Sequence, residues 1–134
     1  ARLALEGVKV KDVMSNNTLT VSDKMTVDEF HSKHLEKGAR FYNVVDKEGK
    51  LIGHVSIKGL KKIRRRYWDT KKITAVMRKR RTRAFEDDDM FSIVVKMSRS
   101  GVSPIPVVDS SDTSKIIGTI SRSDIMSLLI KPEK

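Results

Sequence analysis

Apolar positions along this chain recur with periods that change from one block to the next. "TLTV" at 18 to 21 is a short β-rich stretch. From Val27 onward Val27, Phe30, His34 and Leu35 fall near one face of a helix. Thr26, followed three residues later by Glu29, makes a capping box at its start, and Met25 and Phe30 are placed for a hydrophobic staple. Gly38 stands where a left-handed residue closes such a helix. "FYNVVD" and "LIGHVS", separated by "KEGK", predict an antiparallel hairpin, and a second helix is expected from Ile57. The later half repeats this order. Asp89 caps a helix through "MFSIVVKMSRS", Gly101 ends it, "PIPVVD" pairs with "KIIGTIS", and "RSDIMSLLI" forms the last helix.

The repetition is also literal. "VKDVM" at 10 to 14 aligns with "ITAVM" at 73 to 77, and the same offset of 63 sets Gly38 on Gly101 and "NVVD" at 43 to 46 on "PVVD" at 106 to 109. The offset then becomes 65, setting "KLIGHVS" at 50 to 56 on "KIIGTIS" at 115 to 121; a two-residue insertion in "DSSDTSK" absorbs the change in a hairpin loop. The fold class expected is α+β, with two pseudo-symmetric β-α-β-β-α repeats at 1–66 and 67–134 forming one module. A half of about 60 residues buries too little apolar surface by itself. The two are therefore expected to pack through their sheets, and the clefts between them are natural ligand sites.

Composition narrows the setting. The chain has 134 residues, 38% of them hydrophobic, the size of one compact domain. No run approaches the roughly 18 apolar residues of a membrane span, and there is no cysteine for a disulfide framework, so a cytoplasmic setting is expected. "ARLALEG" at the start reads as the end of a longer segment, which suggests a cytosolic part of a larger protein. The net charge of +11 is local: residues 58–83 hold 13 Lys or Arg and one acid, while the remaining 108 residues sum to −1. Such a belt suits nucleic acid, an anionic surface or a polyphosphate. Tyr67 and Trp68 within it could stack on bases, sit at a lipid interface or plug the contact between repeats.

Candidate chemistry centres on Ser121, Arg122 and Asp124, at the end of the second apolar run. A hydroxyl and an acid three residues apart make an N-terminal cap, or a grip on a soluble ligand, and the two roles are compatible. The first copy has Ser56 but carries Gly59 where the second has Asp124. His31 and His34 lack a third partner for a metal, and the acids of "EDDD" at 86 to 89 suit a helix N-terminus. No nucleophile elbow, phosphate loop or triad appears, so an enzyme is not expected.

The twice-used "VxxVM", the glycine before "PVVD" and the closing Gly-x-hydrophobic-Ser-x-x-Asp resemble a tandem pair of cystathionine β-synthase (CBS) domains, a Bateman module, over Val8 to Ile130. The resemblance implies a regulatory domain that binds AMP, ADP, ATP or S-adenosylmethionine, needs no cofactor and commonly forms a homodimer, a disc of four repeats. It places both ribose hydroxyls on Asp124, ribose or phosphate on Ser121, phosphate near Arg122, and adenine near Arg83, Ala84, Val102, Ser103, Pro104 and Ile105. In the first repeat Asn43 replaces Pro106 and Gly59 lacks the carboxylate, leaving Thr20, Arg40, Tyr42 and Ser56 as a weaker or different site. By analogy the parent is a channel, transporter or membrane protease with a partner domain that the module regulates. The alternative is a nucleic-acid or anionic-surface binding module that uses the belt at 58–83.

Overall fold

The computed structural model describes residues 5–79 and 82–129, with only the backbone of Lys37. Arg80 and Arg81 of the basic belt, and Ile130 of the expected last helix, lie outside the described residues. The architecture is α+β, with two three-stranded sheets and three α-helices.

The chain divides into two compact units. One runs from Leu19 to Lys79; the other joins the described residues up to Thr18 to those from Thr82 onward. These limits differ from a division at 66/67. Each linker is integrated into the unit that contains the other repeat's sheet.

The first unit holds β1 (Thr20–Ser22), α1 (Val27–Lys37), β2 (Phe41–Val45) and β3 (Leu51–Ser56). Its sheet has the order β1-β2-β3, with β1 parallel to β2 and β2 antiparallel to β3. On β3, buried and half-buried residues alternate, as period-two patterning predicts for a strand with one face on a core. The α1 cap forms as expected: the Glu29 amide donates to Thr26 Oγ1 at 3.1 Å, and the Thr26 amide donates to Glu29 Oε1 at 3.0 Å. Gly38 ends the helix in the left-handed region with φ of 79°. Val27 and Phe30 are fully buried, but Leu35 is 72% exposed. Leu35 lies two turns beyond Val27, where the helix has rotated past the stripe that meets the sheet.

The helix expected from Ile57 is instead a 3-10 turn over Lys58–Lys62, followed by another over Arg65–Tyr67. Its apolar positions, Ile57, Leu60 and Ile63, recur every three residues, and the amides of Leu60 and Ile63 donate to the carbonyls of Ile57 and Leu60. That is the 3-10 period rather than the α period. Gly59 lowers helix propensity, and cations three or four apart, such as Lys58, Lys61 and Lys62, oppose a longer helix.

The second unit holds β4 (Ala84–Phe85), α2 (Met90–Ser100), β5 (Ile105–Val108), β6 (Ile116–Ile120) and α3 (Arg122–Leu129). The order is β4-β5-β6, parallel then antiparallel. Asp89 is the N-cap of α2, but its side chain makes no capping hydrogen bond; Asp88 turns back to accept from the Phe85 amide at 2.9 Å. Gly101 closes α2 with φ of 67°.

Each unit has its own core. Val21, Val27, Phe30, Tyr42, Val44, Val55 and Leu60 form one, joined by Ile73 and Val76 of the linker. Ala84, Met90, Ile93, Ile105, Val107 and Ile120 form the other, joined by Val10. The two "VxxVM" segments thus insert crosswise: Ile73 to Met77 against the first sheet, Val10 to Met14 against the second. The crossings are hydrogen-bonded. His54 and Arg78 exchange amide-to-carbonyl bonds of 2.8 and 2.9 Å, and Ser15 and Thr119 exchange two of 2.9 Å. The linker also caps α1, because the amides of Val27 and Asp28 donate to the carbonyls of Lys71 and Trp68.

Candidate functional site

Strand pairing brings the candidate residues of the second repeat to one end of one sheet. Ala84 pairs with Val107 in parallel, and Ile105 pairs with Ile120 in antiparallel register. The start of β4, the start of β5 and the end of β6 therefore lie together, and the segments at 82–83, 102–104 and 121–122 leave the sheet at the same edge. The first turn of α3 begins there.

Hydrogen bonds fix this corner. Asp124 Oδ2 accepts from the Ser121 amide at 2.8 Å and from Ser121 Oγ at 3.0 Å, while the Asp124 amide approaches Ser121 Oγ at 3.3 Å. Ser121 Oγ also lies 2.8 Å from Ser123 Oγ. The Arg122 amide donates to Ser103 Oγ at 3.0 Å, which ties the loop before β5 to the helix start. Ser103 precedes a cis bond to Pro104. Ser121 and Asp124 thus form a capping box, and Oδ1 of Asp124 takes no bond among the described residues. Ser103, Ser121, Arg122 and Asp124 are directly connected.

Other expected liners sit differently. Ala84 and Ile105 are fully buried members of the core, so only their backbone could face a ligand. Pro104 is buried, and Val102 is half-buried. Arg83 lines a hollow of about 550 Å³ with Lys96 and Arg99; its Nε is buried without a protein partner, and Lys96 Nζ donates to its carbonyl at 3.4 Å. None of the four connected residues lines that hollow.

The first unit gives a different answer at the matching positions. Ser56 Oγ accepts from the Gly59 amide at 3.1 Å, half of the box made by Ser121 and Asp124. Tyr42, expected at a second site, is 1% exposed and packs edge-on against Phe30 with ring centroids 5.3 Å apart. It is a core residue, and burial pushes its phenol above the ordinary 10.0. Thr20 pairs with Asn43 on the sheet. Arg40 and Ser56 share a hollow of about 380 Å³ with His34, Lys58 and Lys61. Beside it, Ser56, Lys58 and Lys61 line a second hollow of about 540 Å³ together with Gly59, Lys62 and Arg78.

Those cations were visible in the sequence as a belt, but their convergence was not. Arg78 reaches the hollow only because the linker crosses β3 at His54. Trp68 is held within the first unit: its Nε1 donates to the Ile63 carbonyl at 2.9 Å, and the Arg65 guanidinium lies 4.1 Å from its ring. The His31 ring packs tilted against Trp68 with centroids 5.1 Å apart, and His34 Nδ1 donates to the Ala39 carbonyl at 2.7 Å. Both histidines therefore have structural roles.

Two α+β units, each built from a parallel strand, a helix and an antiparallel hairpin, with a hydroxyl-carboxylate corner on one of them, define a paired-repeat module. The chain belongs to the CBS domain family, whose model matches residues 10–66 and 73–131. Among curated relatives, the L-aspartate semialdehyde sulfurtransferase of Methanocaldococcus jannaschii is 27% identical over 119 residues, covering 89% of this chain and 23% of that protein. The chain spans about a quarter of the length of the first curated relatives it matches. The crystal structure of protein MJ1004 from the same organism superposes with a TM-score of 0.82 at 28% identity, over 92% of this chain and 60% of that one. The CBS domain pair of protein MJ0100, solved in complex with 5′-methylthioadenosine and S-adenosyl-L-methionine, gives a TM-score of 0.76 at 26% identity, over 91% of this chain and 95% of that one. No helix among the described residues is long and apolar enough to cross a membrane.

Proposed function

We propose that the module senses an adenosine-containing ligand, AMP, ADP, ATP or S-adenosylmethionine, through the corner formed by Ser103, Ser121, Arg122 and Asp124. The observation that carries this reading is the asymmetric use of Asp124. Oδ2 is held by Ser121, which orients the carboxylate and leaves Oδ1 for a ligand hydroxyl. A carboxylate is an acceptor with room for both hydroxyls of a ribose. Bonds from neutral donors to such a charged acceptor are among the stronger ones available. Backbone groups of the segments at 83–84 and 102–105 would read the base, and Arg122 would meet a phosphate or carboxylate. The MJ0100 pair, which holds two adenosine compounds at 26% identity, supports this ligand class.

CBS domain pairs are regulatory modules, and here the ligand would act by linkage. It shifts the balance between two arrangements of the module against a partner domain, or against a second copy in a homodimer, only as far as it binds one better. The parent would be a longer cytosolic protein or the cytosolic part of a membrane protein. Calorimetric titration with AMP, ATP, S-adenosylmethionine and 5′-methylthioadenosine at two salt concentrations tests the reading. One of these should bind one-to-one with an affinity that salt changes little. Failure of all four at both concentrations would refute it.

A further inference from the structure

The segment from Arg64 to Lys71 takes no part in the corner at Asp124 and lines none of the hollows described above. Arg64, Arg65, Arg66 and Lys71 are exposed on it, against a single acid, Asp69. Among the described residues the ion pairs are Lys11 with Asp87 and Lys50 with Glu48, so none of these four cations is neutralised by one. Lys72, next along the chain, already has an anion within reach in Glu29. Two rings lie among the cations. The Arg66 guanidinium stands 5.0 Å from the ring of Tyr67, which is 43% exposed, as Arg65 stands over the half-buried Trp68. Backbone holds the face in place: the amides of Tyr67, Trp68 and Lys71 donate to the carbonyls of Arg64, Arg65 and Tyr67, and the Trp68 carbonyl accepts from Asp28. Like charges fixed side by side without a counter-charge attract a polyanion. The fixed backbone also removes the ordering cost that a flexible basic tail meets on binding.

We infer that this face binds single-stranded nucleic acid, with phosphates on the arginines and a base on Tyr67. A guanidinium pairs two of its N–H groups with one phosphate. An unpaired base offers a π-face on which an exposed ring stacks whatever the sequence. A duplex keeps its bases stacked on one another, and the 3-10 turn over Arg65–Tyr67 is too short to enter a groove as a recognition helix does. A lipid surface fits less well. From Arg64 to Lys71 there is no aliphatic residue, and the nearest before it, Ile63, packs onto the first unit's core, so no aliphatic anchor accompanies the charge. The inference stands apart from the adenosine reading, which uses other residues in the other unit.

The test is fluorescence anisotropy on the full chain with labelled oligothymidine and oligouridine of about 20 nucleotides, and a duplex of the same length, at about 50 and about 200 mM salt. Both single strands should bind, and four phosphates met by four cations should make affinity fall about 50-fold between the two salts. Arg64→Gln with Arg66→Gln should weaken both strands by about tenfold or more at the lower salt and flatten the salt dependence. The control pair Lys47→Gln with Lys115→Gln, which removes equal charge from exposed positions at the two hairpin connections, should change binding far less. Tyr67→Ala should weaken the single strands by about fivefold or more and leave the duplex unaffected, while Tyr67→Phe should keep the parent affinity. Asp124→Asn should bind the strands as the parent does, which separates failure here from failure of the adenosine reading. No single-strand binding at the lower salt, equal losses in the two double variants, or a Tyr67→Ala loss shared by the duplex would overturn the inference. So would a chain that ignores both strands and binds phosphatidylglycerol vesicles through Arg64 and Arg66.

Discussion

A Cβ built on Gly118 would stand 2.6 Å from the carbonyl oxygen of Ser15, a separation that packed side chains do not tolerate. The matching Gly53 would place its Cβ 2.5 Å from the Arg78 carbonyl and 2.7 Å from Met77 Cγ. The glycine shared by "LIGHV" and "IIGTI" is therefore the seat over which each linker crosses. Alanine at either position must lift the linker and its paired backbone bonds. Gly118→Ala and Gly53→Ala should each cost about 2 kcal/mol or more, because the clash is with backbone rather than with a movable side chain. Denaturant unfolding measures this, and a loss below about 0.5 kcal/mol would show that the crossing is not tight.

The cap of α1 gives a pH-dependent prediction. The Thr26 amide and then the Thr26 hydroxyl hold the Glu29 carboxyl below its ordinary 4.5. A group lowered in the folded state stabilises above its unfolded value, and that contribution disappears as pH falls through the folded one. Glu29→Gln should therefore destabilise at pH 7, with the difference from the parent chain shrinking below about pH 4. Thr26→Ala should cost about 1 kcal/mol at neutral pH. Urea unfolding at both pH values tests this, and a pH-independent Glu29→Gln effect would contradict it.

Leu35 and Ile93 separate helical pattern from actual burial. Leu35 is 72% exposed, so Leu35→Gln should change stability by no more than about 0.5 kcal/mol. Ile93, fully buried, should cost about 2 to 5 kcal/mol when cut to alanine. Thermal melts of the two variants suffice, and a large loss at Leu35 would indicate a partner covering that face.

Local features were legible because they are encoded within a few residues. The Thr26 and Glu29 box, the closing Gly38 and Gly101, and the two hairpins all appear where short-range chemistry puts them. Ser121 and Asp124 were legible as a pair for the same reason, with the capping geometry now explicit. What escaped depends on distant contacts. The crosswise insertion of Val10 and Ile73 follows from which sheet each linker meets, and the repeat alignment carries no information about that. Where a helix is expected from Ile57 the chain makes a 3-10 turn, because its apolar positions recur every three residues and Gly59 weakens a longer helix. Tyr42 looked like a ligand-facing aromatic, but its strand position turns it onto Phe30. The basic belt showed its charge in the sequence, and only the crossing at His54 brings Arg78 beside the lysines.

The central claim is that the Asp124 carboxylate grips a ribose. Calorimetric titration of the parent chain and Asp124→Asn with the tightest adenosine compound and its 2′-deoxy analogue closes a double cycle. Loss of the 2′-hydroxyl should weaken binding to the parent by about tenfold or more, and should change little in Asp124→Asn, which keeps its melting temperature within a few degrees. Equal losses in both proteins, or full affinity retained by Asp124→Asn, would contradict the account.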